Sequence, residues 1–243
     1  MATQFAFGKV VTDGLVLALD ASDRNSYPGS GTTWRDLSGA NNNGIFQNGP
    51  TFNSSNGGSV VLDGTDDIVV VNDASNLDFG TSEFSVGIWF YVSSSVFSSN
   101  TEYGIIDKNP LYEGNAGWGF EISSWGHTSP FNTVSVQLYN TGQSAWGNSN
   151  TTTTINTNRW NSIFGTRSGN TFVLYKNGTL ASQKTNADIG ISVNNSSNLI
   201  LGDHSWGPSL RSNIANVQVY NRTLSAAEVQ QNYNAQKSRF GLS

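Results

Sequence analysis

Large apolar residues recur at every second position in several segments of this chain. The alternation is clearest at residues 15–19, 84–90 and 134–138. Because successive side chains of a strand point to opposite faces, this period predicts strands with one buried face. Shorter runs bounded by Gly, Asn, Asp or Ser predict further strands at residues 59–62, 68–71, 103–107, 119–122, 172–175, 199–201 and 217–220.

Short strands at regular intervals are typical of an all-β fold in which two antiparallel sheets pack as a sandwich. Asn177 and Gly178 separate two of the strand patterns, and this pair favours the type I′ turn of a β-hairpin. Ser225 and Glu228 have the spacing of a capping box, which predicts one short C-terminal helix. The fold class expected from these signals is therefore a β-sandwich with a terminal helix.

The turn signals are spread evenly, and no linker rich in proline or charge divides the chain. We therefore expect an N-terminal arm at residues 1–13, one sandwich domain at residues 14–224, and a C-terminal helix and tail at residues 225–243. The arm lacks the apolar run of a secretory signal, and no later stretch reaches about 18 apolar residues. We expect synthesis in the cytoplasm, with no signal peptide and no membrane insertion.

Composition excludes several function classes. The chain has no cysteine, which excludes a disulfide scaffold, a thiolate nucleophile and a zinc site built on sulfur. It has 12 Lys and Arg residues against 17 Asp and Glu residues, for a net charge of -5. Binding to a nucleic-acid backbone depends on clusters of basic residues, so we expect no nucleic-acid partner.

Catalytic patterns are missing from the sequence. Glycoside hydrolysis needs two carboxyl groups that face each other across the scissile bond. No two glutamates are spaced so that one strand face would present both, and the neighbouring Asp66 and Asp67 would point to opposite faces of a strand. His127 and His204 stand in loops rich in Gly and Ser, without a nucleophile-elbow pattern. We therefore predict no catalytic residues and no enzymatic activity.

The segment around Asp63, Asp66 and Asp67 has two interpretations. Hard cations bind carboxylate and carbonyl oxygens, so this tight loop is a candidate calcium site, although its spacing is not that of an EF-hand. The alternative is an Asx turn in which the side chains bond to their own backbone. No cofactor is required by the sequence, and calcium is the one candidate.

Three tryptophans stand in loop-like stretches, each preceded by Ser or Ala and followed by Gly: Trp125, Trp146 and Trp206. Exposed indoles can stack on the apolar face of a sugar ring or anchor a protein interface. The alternative is that each indole folds back over the end of the sandwich. With His204 and Tyr112, these tryptophans form the predicted glycan-binding or interface set. Strand patterns place the other tryptophans in or near the core, at positions 34, 89, 118 and 160.

The order of motifs along the chain resembles that of a known superfamily. The motifs lie at residues 14–20, 31–39, 61–67, 84–89, 174–178 and 217–225. Together they resemble the laminin-G-like (LamG), concanavalin A-like jelly rolls. This resemblance implies two antiparallel sheets, one often concave, with a binding surface on the concave side or the loop rim. Members bind glycans or proteins, some of them through calcium.

Residues 26–34 and 232–241 are most similar to laminin-G-like proteins of tailed phages, in particular phages of cyanobacteria. That resemblance implies a non-enzymatic structural protein of the virion, either a capsid decoration or a tail or fibre adhesin. The implied partners are other virion proteins, further copies of the chain and a host cell-surface glycan. The implied location is the virion, after synthesis in the host cytoplasm.

Two departures from the superfamily pattern limit what the resemblance implies. Residues 214–217 read Ile-Ala-Asn-Val, whereas the family often has an acidic residue there, so a metal site that depends on that acid is not expected. The hydrolase branch carries a Glu-x-Asp-x-x-Glu motif, which no window of this chain matches. The alternatives to a virion protein are a free carbohydrate-binding module and, with less support, a glycoside hydrolase.

Overall fold

A computed structural model describes residues 9–108, 116–141, 151–203 and 208–242, with the backbone alone for 136–141. Within these ranges the chain forms two antiparallel sheets that pack face to face, so the predicted fold class is confirmed. The first sheet contains β1 (Leu15–Asp20), β4 (Thr51–Asn53), β5 (Ser59–Asp63), β7 (Phe84–Val92), β12 (Arg159–Ser168), β13 (Thr171–Lys176), β14 (Thr179–Thr185) and β16 (Arg211–Tyr220). The second contains β2 (Thr33–Trp34), β3 (Gly44–Gln47), β6 (Ile68–Val71), β8 (Glu102–Lys108), β9 (Gly117–Ser123), β10 (Thr133–Thr141), β11 (Thr151–Asn156) and β15 (Leu199–Leu201).

The strand order differs from the chain order in both sheets. In the first sheet it is β14-β13-β12-β7-β16-β5-β4, with β1 also paired to β16. In the second sheet it is β11-β10-β9-β8-β15-β6-β3-β2. The helix α1 spans Ala226–Gln236, and short 3-10 turns occupy Ser55–Gly57, Ser75–Leu77, Ser94–Val96, Ala187–Gly190 and Lys237–Phe240. None of the described helices has the length and apolar character needed to cross a bilayer.

The sandwich core lies between the sheets and is built from the apolar positions of the alternating pattern. Leu17 and Leu19 of β1 and Trp118 of β9 are completely buried there, as is Trp34 of β2. At the predicted hairpin, Asn177 and Gly178 both have positive φ angles, 50° and 76°, which confirms the type I′ turn. Local sequence therefore specifies both the core positions and this connection.

One prediction about burial is wrong. The pattern at residues 84–90 predicts a strand with one buried face, but β7 is buried on both faces over most of its length. The outer face of the first sheet is covered by α1 and the 3-10 turn that follows it, where Tyr233 and Phe240 stack on Trp89. Trp89 is thus buried, as predicted, but beneath the helix rather than between the sheets.

The C-terminal helix begins where the sequence predicts. The side chain of Ser225 accepts a hydrogen bond from the backbone of Glu228, and the Glu228 carboxylate accepts one from the backbone N–H of Ser225. Val11, in the segment before β1, donates its backbone N–H to the side-chain oxygen of Asn232 in the helix, at 2.7 Å. The segment before β1 and the helix after β16 therefore pack together against the first sheet. The domain boundaries at residues 13 and 224 stay predictions.

The carboxylate that caps this helix provides a test of pH dependence. Arg222 lies 2.6 Å from the Glu228 carboxylate, and this bond together with that from Ser225 lowers the pKa of Glu228 to about 2. Because the folded-state pKa lies below the ordinary value of 4.5, the interaction stabilises the fold above pH 4.5 and is lost as the pH falls toward 2. Both side chains are partly exposed, so we expect a contribution of about 1 kcal/mol.

Glu228→Gln should therefore lower the free energy of unfolding at pH 7 and flatten its decline at acidic pH. The measurement is urea denaturation at a series of pH values, with Gln230→Ala, an exposed position on the same helix, as the control. Parallel pH curves for Glu228→Gln and the unmodified protein would contradict the prediction.

Candidate functional site

Because of the strand register, several loops lie at the same end of the sandwich. In the first sheet β5 ends at Asp63 beside the start of β16, and β7 ends beside the start of β12. The turn after Asp63 leads into β6 of the second sheet, and at this same end β8 begins and β9 finishes. We call this end, which carries the turn with Trp125, the Trp125 end.

Polar side chains line the outer face of the second sheet at this end. Tyr103 of β8 and Ile122 of β9 belong to the core, so their neighbours Glu102, Glu121 and Ser123 point outward. Glu102 lies opposite Ser123 in the register. Ser123 in turn lies opposite Ser135 of β10, which places Ser135 on the same face. Three adjacent strands thus present a row of hydrogen-bonding groups.

The turn after β9 holds an aromatic side chain at the edge of this row. Trp125 is 58% exposed, one of the few large apolar side chains in solvent among the described residues. Its backbone N–H donates to the Ser123 hydroxyl at 3.1 Å, and the Ser124 hydroxyl donates to the carbonyl of Ser98 at 2.6 Å. These bonds hold the backbone of the turn, and the indole projects from it into solvent. The alternative that Trp125 covers the end of the sandwich is wrong.

A histidine in the same turn connects it to β10. The His127 Nε2 atom lies 3.1 Å from the Ser135 hydroxyl, within hydrogen-bond distance. Both side chains are partly exposed, as is Glu102 two strands away. We define the Trp125 rim as Trp125, His127, Ser135 and Glu102. It combines one exposed aromatic face with the hydrogen-bonding groups of a serine, a histidine and a glutamate.

The acidic residues of this face have different environments. Burial raises the pKa of Glu102, whose carboxylate makes no hydrogen bond within the described part of the chain. Glu121 is only 4% exposed and takes part in an interaction of its own. Because Glu121 lies opposite Gly104, Glu102 and Glu121 form a diagonal pair with Cα atoms about 7–8 Å apart. Asp107 of β8 is on the same face and is also buried.

Sequence reasoning missed this set of carboxylates because it tested pairs within single strands only. Glu102 and Glu121 belong to different strands, and they share a face only because β8 and β9 pair in one register. The two strands were predicted at residues 103–107 and 119–122. An assumed hairpin between them would have placed the glutamates close together, but the patterns alone leave the register open.

The aspartate cluster lies at the same end, between β5 and β6. Oxygen atoms of Asp63, Asp66 and Asp67 lie within 4.8 Å of one another. Asp66 and Asp67 are in a turn rather than a strand, so their side chains converge instead of pointing to opposite faces. Along the second sheet this cluster is three strand spacings from the Trp125 turn, about 14 Å. The cluster is therefore separate from the Trp125 rim.

Hydrogen bonds inside the turn occupy part of the cluster. The Asp63 carboxylate accepts the backbone N–H of Thr65 at 2.7 Å, and this bond lowers the pKa of Asp63. The Asp67 carboxylate accepts the backbone N–H of Asp63 at 3.0 Å, while burial raises the pKa of Asp67. The Asx-turn geometry is thus present. A calcium ion bound by these three residues stays a prediction.

The remaining residues predicted to form the site lie outside the described residues: Tyr112, Trp146, His204 and Trp206. Of the predicted glycan-binding or interface set, Trp125 alone is described. Among the tryptophans predicted to lie in or near the core, Trp34, Trp89 and Trp118 are buried. Trp160 is partly exposed and packs against the buried cluster of Trp89, Ala215 and Phe240, so it lies near the core, as predicted.

Two stacked antiparallel sheets with an exposed aromatic rim define a lectin-like β-sandwich. The chain belongs to the concanavalin A-like lectin/glucanases superfamily, since the Laminin_G_3 family model matches residues 63–230. The resemblance of its motifs to the jelly rolls of this superfamily is thereby confirmed. A search of curated proteins found no match.

The fold is also similar to that of solved toxin binding domains. The binding domain of Paraclostridial Mosquitocidal Protein 1 has a TM-score of 0.71 at 17% identity, over 92% of this chain and 52% of that one. The botulinum neurotoxin serotype D ligand binding domain in complex with N-acetylneuraminic acid has a TM-score of 0.67 at 18% identity, over 93% of this chain and 52% of that one. The botulinum neurotoxin DC binding domain in complex with rat synaptotagmin II has a TM-score of 0.67 at 17% identity, over 93% of this chain and 52% of that one. This chain spans about half the length of these structures.

Proposed function

We propose that this chain is a lectin-like binding domain that recognises a glycan through the Trp125 rim. The observation that carries the proposal is the indole of Trp125, which is 58% exposed yet held by a hydrogen-bonded turn. An exposed aromatic face can stack on the apolar face of a sugar ring. Ser135 and His127 supply hydrogen-bonding groups beside it, and Glu102 offers acceptor oxygens for sugar hydroxyls.

The structural neighbours support a binding role. Their names describe binding domains, one in complex with N-acetylneuraminic acid and another with rat synaptotagmin II. A glycan or a protein is therefore the class of partner to test first for this chain. We favour a glycan because the Trp125 rim contains one exposed aromatic residue among polar groups, whereas a stable protein interface usually has a larger apolar centre.

A non-enzymatic role is part of the same proposal, although the superfamily name also includes glucanases. Glu102 and Glu121 share a sheet face, and their Cα separation of about 7–8 Å would suit a pair of hydrolytic carboxylates. Glu121, however, is buried and engaged in its own interaction, which leaves Glu102 without an accessible carboxylate partner for that reaction among the described residues. We therefore infer that the face binds sugar without cleaving it.

A glycan array tests this function when it is combined with an assay for sugar cleavage. We expect the full chain to bind at least one glycan, and the bound glycan to release no reducing ends on prolonged incubation. A free carbohydrate-binding module would give the same array result, so the array does not decide where the domain is displayed. An empty array would contradict glycan binding, and release of reducing ends that Glu102→Gln abolishes would establish a hydrolase.

We propose further that the domain is displayed on a phage particle, as capsid decoration or as a tail or fibre adhesin. The support is the motif resemblance of residues 26–34 and 232–241 to phage proteins and the low charged fraction of 12%. Its partners would then be other virion proteins and copies of itself, with a host glycan as receptor. Mass spectrometry of purified particles should detect the chain, and its absence from intact virions would refute this location.

A further inference from the structure

A row of aromatic rings crosses the outer face of the first sheet. Trp89 stacks on Phe240 with ring centroids 4.4 Å apart, and Phe240 packs on Trp160 at 4.6 Å. Trp160 in turn lies 6.0 Å from Tyr91. Trp89 and Phe240 are buried by the C-terminal segment, whereas Trp160 and Tyr91 are only partly covered. The rings of Trp160 and Tyr91, at one end of the row, are therefore partly accessible to solvent.

These two rings border a pocket of about 260 Å³. Asn53, Asn56 and Asn213 line its other sides, together with two serines. The volume lies just below the roughly 300–1,000 Å³ of sites for drug-sized ligands, so the pocket suits one small ring. It lies on the opposite sheet from the Trp125 rim, and no residue is shared between the two.

Hydrogen bonds hold the walls of the pocket in place. The indole Nε1–H of Trp160 donates to the Asn56 side chain at 3.3 Å, and the Asn56 amide donates to the carbonyl of Arg239 at 2.9 Å. The amide of Asn213 donates to the Ser59 hydroxyl at 3.3 Å. The orientation of the Trp160 ring is thus set before any ligand arrives, which lowers the entropic cost of binding.

Several polar atoms of the pocket have no partner within the described part of the chain. They are the Nδ2 amide of Asn53, the Oδ1 atom of Asn213 and the hydroxyl of Tyr91. One is a donor, one is an acceptor and one can do both. Among the described residues that line the pocket there is no Asp, Glu, Lys, Arg or His, so no charged side chain of the lining would pair with a charged ligand.

We propose that this pocket is a second binding site and that it takes a neutral pyranose ring. Such a ring presents an apolar face of C–H groups, which suits stacking on Trp160 or Tyr91. Its hydroxyls both donate and accept, which matches the mixed polar atoms of Asn53, Asn213 and Tyr91. With a site on each sheet, the domain would bind two sugar units of one surface more strongly than either site alone, where the spacing allows.

The test is an NMR titration of the full chain with neutral methyl glycosides of glucose, galactose, mannose and N-acetylglucosamine. The glycosides are added to about 50 mM, because single-ring sites bind weakly, with a Kd near 1 mM. The indole N–H signal of Trp160, assigned through its loss in Trp160→Phe, should shift with at least one glycoside. Tyr91→Phe keeps the ring and removes an unpartnered hydroxyl, so the Kd should rise about three- to tenfold with unchanged melting temperature.

Leu180→Ala, an exposed position on β14 of the same sheet, is the control and should leave the titration unchanged. The proposal is overturned if no neutral glycoside moves the Trp160 signal, if N-acetylneuraminic acid alone moves it, or if Tyr91→Phe leaves the Kd unaltered. The indole signal of Trp125 in the same spectra reports on the Trp125 rim independently. Failure of one site is therefore distinguishable from failure of the other.

Discussion

Replacing Arg167 with methionine is expected to lower the free energy of unfolding by about 3–5 kcal/mol, because it breaks a buried network of hydrogen bonds from one guanidinium to several backbone carbonyls. Arg167 is completely buried in β12, an interior strand of the first sheet. Its guanidinium donates to the carbonyl of Gly80 at 2.6 Å, to that of Ile191 at 3.1 Å and to that of Ser82. It thereby connects two loops, the one before β7 and the one before β15, at the end of the sandwich opposite Trp125.

The loss arises from the acceptors that methionine leaves behind. The carbonyl of Gly80 keeps a second donor, the backbone N–H of Val193 at 3.1 Å, whereas the buried bond to the carbonyl of Ile189 is lost. A buried carbonyl left without a donor costs about 1–3 kcal/mol, and methionine offers no donor. Burial lowers the pKa of Arg167 to about 10, which still leaves it charged at neutral pH. Arg167→Lys should recover part of the loss, because an ammonium keeps the charge but lacks the planar fork that reaches several carbonyls.

Urea denaturation at pH 7 measures this effect. Arg159→Met is the matched control, since Arg159 begins the same strand but is exposed, and surface substitutions usually change stability by less than about 0.5 kcal/mol. A loss below about 1 kcal/mol for Arg167→Met would show that the two loops hold their positions without this residue.

Trp125→Ala is expected to weaken glycan binding by about 30-fold, which corresponds to about 2 kcal/mol, while leaving the melting temperature unchanged. The indole is 58% exposed and belongs to none of the apolar clusters among the described residues. Its removal therefore costs little packing. The stacking surface of the Trp125 rim, however, would be lost completely, and aromatic residues of this kind often dominate binding energy.

Isothermal titration calorimetry with the glycan selected on the array measures the change. Trp125→Phe should retain much of the affinity because it keeps an aromatic face, and Leu180→Ala, another exposed apolar residue, is the control. Equal affinities of Trp125→Ala and the unmodified chain would remove the indole from the binding site, and with it the main support for the proposed function.

Strands were predictable where the apolar alternation is strong, and were missed where polar residues occupy buried positions. The strand β12 was not predicted, although it is an interior strand of the first sheet, paired on both sides. It buries Asn161, Ser162, Thr166 and Arg167, and the Arg167 guanidinium finds acceptors in loops far along the chain, at Gly80 and Ile191. The threonine-rich β11 was missed as well, because its alternation contains few apolar residues.

Features that depend on a few neighbouring residues can be derived from the amino-acid sequence. The positive φ angles at Asn177 and Gly178 and the capping box at Ser225 arise from local backbone and side-chain chemistry, and short-range alternation determined the class of fold. The placement of Glu102 and Glu121 on one face, and of Tyr91 and Trp160 at one pocket, depends on the tertiary fold and could not be predicted from the sequence. Strand order and register bring together residues that are far apart in the chain. They depend on the packing of many segments at once, so no single segment predicts them.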